Sequence, residues 1–331
     1  MTAPLVSVIM PVHNAAPFLG EAIRSVLAQT VGDFEFILVD DASTDASAGI
    51  ITSFHDPRIR CRRSDTPLNA AGARNLALAE AGGEFVAFLD ADDLARRDRF
   101  EIQLKVLRER PETSVAGSLV DSIDEKGNGC GRGFVKELPP EEIAPTLLFE
   151  NCLALSSVMA RRAALDAFRP EFAPAEDYDL WVRLAAKSNL FIIPLRLTRY
   201  RTHAAGVSTR EPDRMRAAVA AIHAAQLERL GVEPSPVHAQ LSAWPLHPTM
   251  DQLAAAEQWL CRLGEANDRA ALFPCAVFRR VLARRWFNIC LDSWLLGWPV
   301  WRVFHRSCLA APTFLQSLQL LRRVGPRVFR R

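Results

Sequence analysis

Through the first two-thirds of the chain, apolar residues come in short runs. Residues 5–10 form a β-branched run ending at Pro11, and 34–39, 59–61 and 85–89 form three more. Runs this short, bounded by Gly, Pro or polar residues, read as strands buried on both faces. Between them the spacing turns helical. Leu19, Ile23, Val26 and Leu27 make one stripe, with Asn14 as a candidate N-cap and Pro17 tolerated in the first turn. Ser43, Thr44 or Asp45 could cap a helix carrying Ile50, Ile51 and Phe54. A third helix lies within 69–83, with Gly82-Gly83 as its C-cap. Strand–helix alternation predicts right-handed crossovers and a mainly parallel α/β sheet. Beyond it the pattern predicts a helix over 97–109, a strand over 114–120, and a loop or hairpin over 121–133. A short helix over 141–149 and a strand over 156–160 follow. Residues 174–181 open another helix, with Leu180 and Leu184 inward, and strands over 190–193 and 196–201 close the pattern. After about Glu211 strand signals fade into apolar-basic helical stretches. The expected organisation is therefore an α/β domain over 1–210 and a helical, Arg/Trp-rich region over 211–331.

Composition narrows this picture. At 331 residues the chain can hold about two domains with real cores. A net charge of +2 does not describe a whole-molecule polyanion binder, so no nucleic-acid partner is expected. The seven cysteines are scattered without a Cys-x-x-Cys pair, indicating neither a disulfide framework nor a zinc site. The N-terminus runs straight into a strand pattern without a basic leader, which leads us to expect a cytoplasmic protein. One basic feature is local: from Ala270 to Arg331 there are eleven arginines and one acid, Asp292, with Trp286, Trp294, Trp298 and Trp301 among them. That pattern fits an interfacial anchor at the inner face of a membrane. It equally fits a helical appendage with solvated arginines. Residues 286–303, the most apolar candidate for a membrane span, are interrupted by Asp292 and Pro299.

The candidate chemistry centres on residues 82–93. An apolar strand there ends abruptly in Asp90, Asp92 and Asp93, at the edge where open parallel sheets place their ligands. Three neighbouring carboxylates repel one another unless a cation sits between them. The alternative is a solvated turn with a helix cap. A second strand ends in Asp40-Asp41, on the same edge of a parallel sheet. Glu176 and Asp177 could simply be first-turn acids favoured by the helix dipole.

Five stretches, in order, resemble the family 2 glycosyltransferases. They are Val6–Asn14, Phe36–Asp45, Asn69–Asn75 with its Gly-x-Ala-Arg-Asn pattern, the Asp-x-Asp of Asp90-Ala91-Asp92, and Glu176–Trp181. The resemblance spans about residues 5–210 and implies the GT-A fold. It implies an inverting enzyme that moves one sugar from a UDP- or other NDP-sugar donor to a glycan or lipid-linked acceptor. It further implies Mn²⁺ or Mg²⁺ as cofactor, held by Asp92 with Asp90 beside it, and His203 reaching the metal or diphosphate. Asp41 would bind the base, Pro11 and His13 would pack beside the nucleoside, and Arg74 would reach the diphosphate. Asp177 would be the general base, with Glu176 as the neighbouring alternative. Processive relatives carry Gln-x-x-Arg-Trp; here Arg285-Trp286 is present but Leu282 stands in the glutamine's place, implying a non-processive enzyme. A dinucleotide-dependent oxidoreductase is disfavoured because Pro11–Asn14 contains no glycine. A nucleotidyltransferase-like or non-catalytic nucleotide-sugar-binding protein remains the alternative.

Overall fold

A computed structural model of the protein describes residues 3–204, 206, 210–242, 244–310 and 314–324. Arg327, Arg330 and Arg331 of the basic stretch lie outside the described residues. The chain divides into two compact units. One comprises the chain up to Leu147 together with Asn151–Val219, and the other comprises Leu148–Glu150 together with the chain from Ala220 onward. The division at Val219 falls inside one helix, Pro212–Arg229.

The first unit is built on a mixed sheet. Strands β1 (Val6–Val12), β2 (Phe34–Asp41), β3 (Ile59–Ser64) and β4 (Phe85–Phe88) run parallel in the order β3-β2-β1-β4. The sheet continues through β8 (Met159–Arg161), antiparallel to β4, to β6 (Thr113–Ile123) and β9 (Asn189–Arg201), which are parallel to each other. The two-residue β5 (Leu94–Ala95) pairs with β9, and β7 (Gly129–Arg132) folds back on β6 as a hairpin. The apolar runs of β1, β2 and β4 are strands because both faces are covered, and every residue of β4 is buried; the run over 59–61 differs, because β3 is an edge strand whose residues Arg60 to Arg63 are exposed. Helices α1 (Ala16–Leu27), α2 (Ser47–Thr52), α3 (Asn69–Glu80) and α4 (Arg99–Glu109) connect the strands. The α1 stripe of Leu19, Ala22, Ile23 and Val26 packs into the same core as β1, β2 and β4. Two further helices, α5 (Pro140–Thr146) and α6 (Glu176–Ala185), complete this part of the unit.

Several local expectations change. Asn14 does not cap α1; its side chain accepts a hydrogen bond from Thr44 N, and Asp45 Oδ2 accepts from Ala16 N at the helix start. The two strand-to-helix corners are thus stitched to each other. Gly82-Gly83 is not the C-cap of α3, which ends at Ala81 in an extended conformation. Gly83 is there for close approach, since a Cβ would lie 2.6 Å from the backbone nitrogen of Ser7. The strands expected over 190–193 and 196–201 are one strand, whose register against β6 shifts after Ser118. The strand expected over 156–160 begins as a 3₁₀ turn at Leu155–Ser157.

The second unit is helical: α7 (Pro212–Arg229, whose C-terminal part belongs here), α8 (Pro236–Ser242), α9 (Met250–Ala270), α10 (Cys275–Asp292), α11 (Trp298–Arg306) and α12 (Phe314–Val324). Helix α9 starts with a capping box in which Thr249 and Gln252 bond reciprocally. Leu260, Leu263, Phe278, Leu282, Trp286 and Phe304 form its core with Leu148 and Phe149. Arg285-Trp286 is therefore internal. Trp286 is fully buried, and Arg285 donates to Glu150 Oε2 at 2.7 Å and to the Leu241 carbonyl at 2.5 Å. Trp298 is 40% exposed and stacks on Trp301. Among the described residues no helix is long and apolar enough to cross a membrane.

Candidate active site

The C-terminal ends of β1, β2 and β4 gather the first group of candidate residues. Three non-glycine residues adopt left-handed backbone here: Asn14 after β1, Ala42 after β2 and Asn69 at the start of α3. Asparagine tolerates this conformation, while for alanine it costs about 1–2 kcal/mol. Strain of this kind persists only where the surroundings enforce it. At Ala42 they do, because its N–H donates to the carbonyls of both Asp40 and Ser64. The corner holds Asp41 at the sheet edge, where Oδ1 accepts a 2.6 Å hydrogen bond from Leu68 N. His13 lies 2.6 Å from the Asp41 carbonyl through Nδ1, and Asn14 Nδ2 lies 3.1 Å from Nε2. A carbonyl only accepts, so this network assigns the proton to Nδ1. Pro11, next to Val39 in the sheet register, completes the floor of the corner.

The second group forms around the Asp90–Asp93 turn. Asp90 N donates to Ser156 Oγ, and Asp93, 1% exposed, accepts from Arg201 N at 2.7 Å. Burial and then the neighbouring carboxylates Asp92 and Asp90 push Asp93 well above the ordinary aspartate range. Burial and the charge of Asp90 likewise raise Asp92. Asp92 Oδ2 lies 2.9 Å from His203 Nε2, and the His203 ring packs against Phe18. Among the described residues no cluster of three or more His, Cys, Asp or Glu side chains could hold a metal. Asp92 and His203 form a two-ligand oxygen–nitrogen set. That suffices for a cation that keeps several waters and takes its remaining ligands from substrate phosphates, as Mg²⁺ does. A carboxylate whose pKa is raised by a like charge is also the group a divalent cation would relieve. On donor chemistry, then, the residues fit Mn²⁺ or Mg²⁺.

Arg74 joins this turn to α6. Its Nη1 donates to Glu176 Oε1 at 2.5 Å and its Nη2 to Asp90 Oδ1 at 2.7 Å, so carboxylates take up both terminal nitrogens. Burial alone would lower the Arg74 pKa; Asp90 and Glu176 outweigh it and raise it. Glu176 is 3% exposed and is tied to Arg74. Asp177 keeps some access to water. Its Oδ2 accepts from Asn151 Nδ2 at 3.0 Å, and its Oδ1 accepts from Tyr178 N at 2.7 Å. Burial, and after it the Glu176 charge, raise Asp177 to a pKa of about 7. A carboxylate poised there can take a proton near neutral pH.

Sequence reasoning missed Arg201 and Asn151. Arg201 ties the site together: Nε donates to the Asp92 carbonyl, Nη1 to the carbonyls of Asp124 and Glu125, and Nη2 to Glu21 Oε2. A cleft beside His203 is lined by Asp124, Lys126 and Asn128 of the β6–β7 turn. Beneath the Asp90–Asp93 turn, Arg99 is fully buried and donates to the carbonyls of Phe88 and Val158, tying the end of β4 to the residue that leads into β8.

Residues 7–157 match the family model described as "Glycosyl transferase family 2". Escherichia coli WfgD, a UDP-Glc:alpha-D-GlcNAc-diphosphoundecaprenol beta-1,3-glucosyltransferase, is 33% identical over 190 residues. Those residues span 57% of this chain and 73% of WfgD. WfaP of Escherichia coli, bearing the same activity name, is 32% identical over 209 residues, spanning 62% of this chain and 80% of WfaP. Among solved structures, residues 1–349 of S. aureus TarS in complex with UDP-GlcNAc superpose with a TM-score of 0.58 at 18% identity. That match covers 98% of this chain and 91% of the TarS chain. At that identity the likeness speaks to fold alone, and it is the GT-A fold expected from the five sequence stretches. The chain belongs to glycosyl transferase family 2.

Proposed function

We propose that this glycosyltransferase transfers one sugar, with inversion, from a UDP-sugar to a hydroxyl of a lipid-linked saccharide. The observation that carries the reading is Arg74 bridging Asp90 and Glu176, which joins the turn holding the cation-ready Asp92 to the helix start holding Asp177, a carboxylate of pKa about 7. The activity names of WfgD and WfaP support the donor and acceptor classes.

In this reading Asp41 accepts a hydrogen bond from the base while Pro11 and His13 flank the nucleoside. Asp92 and His203 would hold Mn²⁺ or Mg²⁺, which when bound supplies positive charge to the departing diphosphate. Asp177 takes the proton from the acceptor hydroxyl. The acceptor oxygen then bonds to the anomeric carbon as the bond from that carbon to the diphosphate oxygen breaks, and the nucleoside diphosphate leaves. Asn151 and the Tyr178 N–H orient Asp177 for this step. Arg74 balances the charge of Asp90 and Glu176, so that Asp177 can ionise beside them. A general base of this kind contributes roughly 10²–10⁴-fold.

A panel of nucleotide sugars incubated with lipid-linked acceptors and manganese, with and without chelator, tests the proposal by mass spectrometry. Product of one added sugar, lost on chelation, is expected; no product from any donor would refute it. We further propose that the second unit contacts anionic lipid from the cytoplasmic side. The excess of arginine over acid and the exposed Trp298 support this. Flotation with anionic liposomes at low salt should carry the full-length protein upward, and protein left at the bottom would refute the contact.

A further inference from the structure

The catalytic unit hides nearly all its large apolar side chains: among the described residues only Phe134 (52% exposed) and Leu195 (44%) stand out. Phe134 does not stand alone. Its ring packs edge-on against Tyr200, with centroids 5.3 Å apart and planes at 85°. The pair is held in place from both sides. Tyr200 is on β9, beside Ser122 of β6. Phe134 follows Gly133, whose N–H donates to the Val120 carbonyl; a Cβ on Gly133 would lie 2.6 Å from that oxygen. Only glycine lets the chain lie that close to β6, and the next residue then projects Phe134. Burial, and then Asp93, Asp90, Asp92 and Asp177, hold the Tyr200 phenol above its ordinary pKa. Tyr200 is thus within electrostatic reach of both the donor carboxylates and the carboxylate assigned as base.

We infer that Phe134 and Tyr200 form a stacking platform for a pyranose ring of the acceptor. The inference deepens the proposed transfer reaction and rests on it for the word acceptor. An aromatic face carries negative charge density, and the C–H groups on one side of a pyranose are the electropositive, apolar surface that matches it. With Phe134 half-exposed and edge-on to Tyr200, the pair offers one such face. The close approach of Gly133 to Val120 fixes the direction in which the Phe134 ring projects, and β9 carries Tyr200 next to Arg201, whose N–H bonds Asp93.

Saturation-transfer NMR with methyl pyranosides of glucose, galactose, mannose and N-acetylglucosamine, run with UDP present, tests the platform without requiring turnover. We expect at least one glycoside to bind through its ring C–H protons and to weaken tenfold or more in Phe134→Ala and Tyr200→Ala. In Tyr200→Phe, which keeps the ring, binding should stay within a few-fold. UDP binding by calorimetry should be unchanged in Phe134→Ala, whose exposed site makes a folding defect an unsuitable explanation. No glycoside binding in the wild type, or equal binding in Phe134→Ala, overturns the platform. Glycoside binding that depends on Phe134 while UDP fails to bind would uphold the platform and count against the nucleotide-sugar reading.

Discussion

Replacing Arg74 with glutamine removes the positive charge bonded to both Asp90 and Glu176. The Arg74 and Glu176 side chains are 8% and 4% exposed, so Glu176 would be left as an unpaired buried carboxylate. Breaking a buried pair by removing one partner costs about 3–5 kcal/mol. The Asp90 arm adds little, because that side chain is 30% exposed and water screens it. For a unit of this size the loss corresponds to a fall in Tm of roughly 6–20 °C. A second effect falls on the chemistry. Arg74 lowers the Asp177 pKa against burial and Glu176. A neighbouring opposite charge typically lowers a carboxylate pKa by about 1–3 units. In the wild type, kcat/KM should fall as pH drops through about 7, because the base must be ionised. In Arg74→Gln that acidic limb should move upward by about one unit or more, and Arg74→Lys should recover part of it. Thermal unfolding and a pH–rate profile measure both. A Tm change under about 2 °C together with an unmoved limb would refute the strut role of Arg74.

Asp177→Asn should be more stable than wild type at pH 8 and close to it at about pH 4. The folded pKa of about 7 exceeds the ordinary 3.8, so the wild type loses stability as pH rises through that range and the neutral amide does not; equal melting curves at both pH values would contradict this. Gly83→Ala should destabilise by about 1–3 kcal/mol, since its Cβ would meet the Ser7 backbone nitrogen at 2.6 Å. Urea unfolding reads this directly. Asp92→Asn, or removal of divalent cations from the wild type, should lower transfer by about 10²–10³-fold while leaving the fold intact by circular dichroism.

Much of the architecture is local and therefore visible in sequence. Strands β1, β2 and β4 are short apolar runs because both faces are covered, and acids stand where the β2 and β4 runs stop. The carboxylates of Asp90, Asp92 and Asp177 announce themselves by crowding. Their partners do not. Arg201 lies 109 residues from Asp92 and 180 from Glu21, and nothing local separates it from the neighbouring arginines of β9. Asn151 lies in a stretch without periodicity, and the assignment of Leu148–Glu150 to the helical unit depends on contacts with chain nearly a hundred residues away. Arg74 was legible as a helix-start arginine. Its commitment to Asp90 and Glu176 was not, because that depends on how α6 meets the sheet. Arg285-Trp286, a motif fragment in sequence, serves the interior of the second unit.

The central claim is that Asp177 takes the acceptor proton in a sugar transfer. Single-turnover reactions of wild type and Asp177→Asn, with a UDP-sugar and its acceptor identified by the donor panel, test it most directly when paired with calorimetric donor binding. The account predicts that transfer falls by about 10²–10⁴-fold while donor affinity stays within a few-fold. Transfer at near wild-type rate in Asp177→Asn would contradict it.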